Sequence, residues 1–104
     1  MNFDTDKATI KPESEATVAE VVKLLQQNPG LRLSVEGHTD DTGAAAHNRQ
    51  LSEARAQAVV ANLAGHAIAD SRLRAAGFGP DKPIANNGTE AGKAKNRRVE
   101  LVKL

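Results

Sequence analysis

A chain of 104 residues, 39% hydrophobic and 26% charged, is long enough for one domain with a modest core and too apolar to stay disordered. Two Phe with no Tyr or Trp remove the stacking platforms of single-strand nucleic-acid binders, and a net charge of +1 with interspersed signs leaves neither a footprint for duplex DNA nor a polybasic membrane patch. The absence of Cys excludes disulfides, zinc–thiolate centres and thiol catalysis, and no apolar run approaches the roughly 20 residues that span a bilayer.

Met1-Asn2-Phe3 shows no signal-peptide pattern and reads as a short strand, as if the domain had been cut from a longer chain. Asp4 to Pro12 is a turn-rich loop, and Pro12 suits the first turn of a helix, where its missing N–H does no harm. Val18, Val21, Val22 and Leu25 fall at i, i+3, i+4 and i+7, an amphipathic stripe that Asn28-Pro29-Gly30 stops. Leu31, Leu33 and Val35 alternate with Arg32, Ser34 and Glu36 in a half-buried strand that ends at Gly37. Ala44 to about Ala64 is an Ala-rich helix with Leu51, Ala54, Ala58, Val59 and Leu63 on a broad apolar face, closed by Gly65. Ile68 reaches the core, Asp70-Ser71 caps a brief turn, and Leu73 to Phe78 is a strand broken by Gly77, Gly79 and Pro80. Pro83 to Gly92 reads as an Asn/Gly-rich loop, and Arg98 to Val102 as a last strand. The order β-α-β-α-β-β predicts an α+β fold, two helices on one face of a four-stranded mixed sheet with right-handed crossovers, in a single domain over residues 1–104.

The most informative stretch is Gly37-His38-Thr39-Asp40-Asp41-Thr42-Gly43, followed by Asn48 and Leu51-Ser52-Glu53-Ala54-Arg55-Ala56. It puts a carboxylate, Asp40, in a Gly-flanked turn and a guanidinium, Arg55, about three turns along the next helix. An acid and a base held apart suit a zwitterion: Asp accepts from an ammonium and Arg grips a carboxylate with its fork. The blander readings are an Asp helix cap and a solvated Arg, although Ala54 and Ala56 leave room beside Arg55. Thr42 shares the turn and could cap the helix. Asn48 disfavours a helix interior, which points to a polar role or to packing against the Asp40 turn. His38, Asp40, Asp41 and His47 match no zinc spacing, so no metal site is expected, and His38 reads as a strand-end side chain bonded to the turn. Ser52, the one hydroxyl near both a His and an Asp, lies inside a helix without a nucleophile elbow, so an enzyme, such as a small hydrolase, is the weaker reading.

In order and over essentially the whole chain, the residues resemble the OmpA-like C-terminal domain that binds peptidoglycan. The blocks are Phe3-Asp4 with Ile10-Lys11-Pro12; Val35-Glu36-Gly37-His38-Thr39-Asp40 with Gly43; Asn48, Leu51-Ser52 and Arg55-Ala56; and Gly77, Gly79, Pro83-Ile84, Asn87, Thr89, Gly92 and Asn96-Arg97-Arg98-Val99-Glu100. Lys93 stands where the family often has Arg, and the Leu63–Ile68 connection departs from the usual short Gly-Ile turn. The resemblance implies a non-catalytic periplasmic module without a cofactor, tied in its parent to the outer or, less often, the inner membrane by parts absent from this chain. The implied ligand is the diaminopimelate of the stem peptide, with its ammonium on Asp40 and its carboxylate on Arg55. Thr42 and Asn48 would orient it, and Asp6 and Arg97 carry over more weakly; Arg98 should face the other way from Arg97. Alanine at Asp40 or at Arg55 is expected to remove binding and leave the fold intact. A protein–protein module of stator or Tol-Pal type, and a homodimer, are compatible with the same resemblance.

Overall fold

A computed structural model of the chain describes residues 1–4 and 7–104. A 3₁₀ turn over Pro12–Ser14 leads into α1 (Glu15–Gln27), then come β1 (Leu33–Gly37), α2 (Ala45–Ala64), a second 3₁₀ turn over Asp70–Arg72, β2 (Leu73–Gly77), α3 (Glu90–Asn96) and β3 (Val99–Lys103). The sheet order is β2-β1-β3, with β2 parallel and β3 antiparallel to the central strand.

The core follows from the two periodicities. Leu33 and Val35 point to one face of β1. Val35 meets Val18 and Val22 of α1, Ala56, Val59 and Leu63 of α2, Val99 of β3 and Phe3. Leu25, Leu33 and Ile68 form a smaller cluster beside it. α1 and α2 therefore cover the same face of the sheet. Arg72 fastens the end of α1 to the start of β2 by donating to the carbonyls of Leu25, Asn28 and Leu31 at 2.8, 2.7 and 3.0 Å.

Two expectations are corrected among the described residues. The segment around Phe3 is no fourth strand; it joins β3 through the single bridge Asn2–Arg98. Phe3 turns into the core at 2% exposure, and the next carbonyl, of Asp4, accepts from Arg55 at 2.9 Å, so the chain leaves the sheet edge at once. The stretch read as a loop ends in a third helix. Thr89 is its N-cap, its hydroxyl accepting from the Gly92 N–H at 3.0 Å, and Glu90 in the first turn with Lys93 and Lys95 in the last complement the helix dipole. Asn96 then holds the preceding loop, accepting from the N–H groups of Ile84 and Ala85 and donating to Ala85 O and Asn87 Oδ1. At the end of α2 the left-handed residue is Ala67 (φ 67°), not Gly65, which keeps right-handed helical angles (φ −62°).

Glycine lets α2 lie directly on the strands. A Cβ on Gly37 would overlap the Ser52 carbonyl of α2. The contact is backbone against backbone, so no rotamer change can relieve it. Gly37→Ala is therefore expected to cost at least about 3 kcal/mol, at the upper end of overpacking penalties, read as a lowered midpoint in urea denaturation.

Candidate functional site

The candidate site lies where β1 runs out into the turn before α2. Beyond Gly37 the backbone stays tied to its neighbours: His38 N donates to Arg98 O at 2.8 Å and Thr39 N to Gly79 O at 3.0 Å. Asp40 follows at 5% exposure. Its Oδ1 accepts from Thr42 N at 3.0 Å, an Asx turn, and its Oδ2 accepts from Arg97 Nη1 at 3.0 Å. Asp40 is thus a turn residue and half of an ion pair; the residue at the N-cap of α2 is Ala44, with no side-chain cap. Burial pushes the Asp40 pKa up, but the Thr42 N–H, the Arg97 guanidinium and the Thr42 hydroxyl outweigh it and hold the carboxyl below its ordinary value.

α2 changes character along its buried face. Asn48, Ser52 and Arg55 come first along it, and Ala56, Val59 and Leu63 follow. The apolar part anchors the helix in the core, which leaves the polar part fixed against the turn. Asn48 donates to Thr42 O at 3.0 Å and to Asp40 O at 3.4 Å, so this mid-helix Asn braces the turn. Ser52 donates to Arg49 O at 2.8 Å and accepts from Gly79 N at 2.9 Å, which commits its hydroxyl to structure.

Arg55 is fully buried, against the expectation that Ala54 and Ala56 leave space beside it. Ala56 is itself in the core. The guanidinium donates to Lys7 O at 2.8 Å, His38 O at 3.0 Å and Asp4 O at 2.9 Å, and sits 5.3 Å over the Phe3 ring. Arg97 donates from Nε to Phe3 O at 3.2 Å and from Nη1 to Asp40; among the described residues its Nη2 has no hydrogen-bond partner. Arg97 therefore pairs directly with Asp40, while Arg55 lines the same cleft and is tied to the backbone carbonyls around it.

Of the residues singled out from the sequence, Asp40, Thr42, Asn48, Arg55 and Arg97 line one cleft of about 330 Å³. Asp6 lies outside the described residues. Thr39, His47 and Leu51 also line the cleft and were not anticipated; Leu51 follows Asn48 at i+3 and His47 at i+4, proximities the helix period carries. Arg98 faces away, donating to Glu100, Asn96 O and Lys82 O. The set His38, Asp40, Asp41 and His47 is not brought together. His38 is not bonded to the turn either: its side chain is on the far face of the sheet, stacked on Phe78 with ring centroids 5.4 Å apart. A larger groove of about 780 Å³ beside α1 and β3 is lined mainly by apolar side chains, with Lys103 its one ionisable residue, and has no charge pair to select a ligand.

A sequence model of the OmpA family matches residues 2–97. The chain belongs to the OmpA family. This OmpA-family chain is 43% identical over 100 residues to outer membrane porin F of Pseudomonas fluorescens, covering 96% of the chain and 31% of the porin. It is 37% identical, with the same coverages, to the peptidoglycan-binding protein ArfA of Mycobacterium bovis. The peptidoglycan-associated lipoprotein from Burkholderia pseudomallei superposes with a TM-score of 0.95 at 30% identity, over 99% of this chain and 87% of that structure. The chain thus spans about a third of the length of these two curated relatives. Among the described residues, no helix of the OmpA-family chain is long and apolar enough to cross a membrane.

Proposed function

We propose that this chain binds peptidoglycan non-covalently by holding the diaminopimelate of the stem peptide, and so ties a cell-envelope parent protein to the wall from the periplasm. The ligand's ammonium meets Asp40 and its carboxylate meets the guanidinium wall of Arg55 and Arg97, with Thr42 and Asn48 fixing the turn that presents them. One observation carries the reading. A carboxylate held in its ionised form lines one small cleft together with Arg55 and Arg97, so that the opposite charges a zwitterion needs are presented side by side. The names of the relatives agree: one is a peptidoglycan-binding protein and another a peptidoglycan-associated lipoprotein. The role is a tether and not catalysis: the Ser52 hydroxyl, the one near both a His and an Asp in the sequence, is committed to Arg49 O and Gly79 N.

Titration of the ¹⁵N-labelled chain with meso-diaminopimelate tests this directly. Amide shifts that saturate and cluster over residues 40–48 and around Arg55 are the expected result. A flat titration with both free ligand and stem-peptide fragments would overturn it.

A further inference from the structure

The face of the sheet turned away from α1 and α2 carries a second cluster of chemistry that peptidoglycan binding does not use. Glu36 of β1 and Glu100 of β3 are direct partners across the antiparallel ladder. Both side chains project to the outer face, because Leu33 and Val35 take the inner one. Like charges directly opposite each other on a sheet destabilise it, and of the pair only Glu100 has a cationic side chain bonded to it, Arg98 at 3.2 Å, among the described residues. Next along the same face is His38, wholly buried, with neither ring nitrogen engaged in a hydrogen bond among the described residues. Its Nε2 is 3.3 Å from Glu100 Oε2, near in distance but misaligned for a hydrogen bond.

We propose that Glu36, His38 and Glu100 form a binding site for a divalent cation of the zinc type. One ligand atom from each of the three lies within 4.8 Å of the others. Zinc bonds of about 2.0–2.2 Å in a tetrahedron separate neighbouring ligand atoms by about 3.4 Å, close to the spacing of His38 Nε2 and Glu100 Oε2. An imidazole with two carboxylates is a donor set that zinc accepts, with water completing the coordination.

Supporting contacts hold the carboxylates in place. Ser34 Oγ donates to Glu36 Oε2 at 3.1 Å, and Arg98 Nε donates to Glu100 Oε1 at 3.2 Å, which leaves Oε2 turned toward His38. Such outer bonds orient metal-ligating carboxylates in known sites. Stacking on Phe78 fixes the imidazole plane. Burial, reinforced by the charge of Arg98, lowers the His38 pKa against the opposing pull of Glu100 and Glu36, which keeps the ring in the neutral form that ligates metal. Arg98 and Lys82, whose ammonium lies 4.0 Å from the Phe78 ring centroid, are the neighbouring cations a metal ion must tolerate. The Glu100 side chain is 44% exposed, so the site opens to solvent.

The test is a calorimetric titration of the untagged 104-residue chain with zinc chloride, together with the ¹⁵N resonances of the His38 ring. Saturable binding of one zinc per chain is expected, with a large shift at Nε2 of His38. Glu36→Gln and Glu100→Gln should each weaken binding at least about tenfold, while the double variant His47→Ala/His66→Ala should not change it. No saturable binding up to about 1 mM zinc would overturn the assignment. So would affinity that survives both Gln variants or disappears with the two other histidines. Circular dichroism of each variant confirms that it is folded, and because the readout needs no peptidoglycan, it stands independently of the cleft.

Discussion

Arg55→Ala is expected to destabilise the domain severely, in addition to any loss of binding. The guanidinium is 0% exposed and donates to three backbone carbonyls, of Asp4, Lys7 and His38. Two of these belong to the N-terminal segment and the third to the turn that carries Asp40, so one side chain stitches the two together. Bonds from a charged donor contribute about 1.5–3 kcal/mol each, and an acceptor left buried without a partner costs about 1–3 kcal/mol. The His38 carbonyl is the most deeply enclosed of the three, whereas the other two can recruit water. A total loss of about 3–6 kcal/mol follows, a large part of the 5–15 kcal/mol that holds a typical domain. The expectation from sequence that alanine at this position leaves the fold intact is therefore revised by the burial. Urea denaturation followed by circular dichroism reads the effect as a large fall in midpoint. Arg55→Lys should fall between, since an ammonium on a single stem cannot reach three divergent carbonyls. An unchanged midpoint in Arg55→Ala would show that water replaces the guanidinium at all three carbonyls.

That revision shows where the sequence stops being informative. β1, α2 and the turn between them were legible because each rests on local signals: alternation in Leu31–Glu36, Ala-rich composition after Ala44, and glycines at both ends of the turn. Asp40, Thr42 and Asn48 lie within nine positions of one another, so their convergence needed only a turn and a helix. Arg55 differs because three of its partners are backbone carbonyls, one of them 51 positions away, which no side-chain pattern announces. Arg97, 57 positions from Asp40, could be placed at the site only through the resemblance, yet it makes the ion pair. The third helix carried a readable signal, Thr89 followed by Glu90, but Gly92 three residues later reads as a breaker. Its reason is steric: a Cβ there would overlap the Asn86 carbonyl. The outer-face cluster was invisible because the residues that oppose Glu36 are set by the register of β3, which only the folded sheet defines.

Asp40→Asn should separate binding from folding more cleanly than any alanine. Asn keeps the shape and an amide oxygen, but that oxygen can serve only one of the two donors, Thr42 N–H or Arg97, that Asp40 now serves with two. The Asx turn is the more local claim and should survive, which leaves the Arg97 guanidinium without its counter-charge. A stability cost of about 1–2 kcal/mol follows, small enough for the domain to stay folded. Binding should suffer more. The cleft then loses the carboxylate that meets the ligand's ammonium, and the Arg97 guanidinium, no longer neutralised by Asp40, repels that ammonium. Loss of one charge-assisted bond together with that repulsion predicts a decrease of about 100-fold in affinity for meso-diaminopimelate, or about 2.7 kcal/mol. The same charge gives a signature in pH. The folded-state pKa of Asp40 is depressed from 3.8, so its stabilising contribution is fully present above that value and is lost as pH falls through the lower, folded value. The wild-type chain should therefore lose stability on acidification through this window faster than Asp40→Asn, and the difference between their denaturation midpoints should shrink toward zero at the acid end. Parallel curves down to acid pH would mean that Asp40 is not held ionised by Thr42 and Arg97, and the electrostatic basis for an ammonium at this site would go with it.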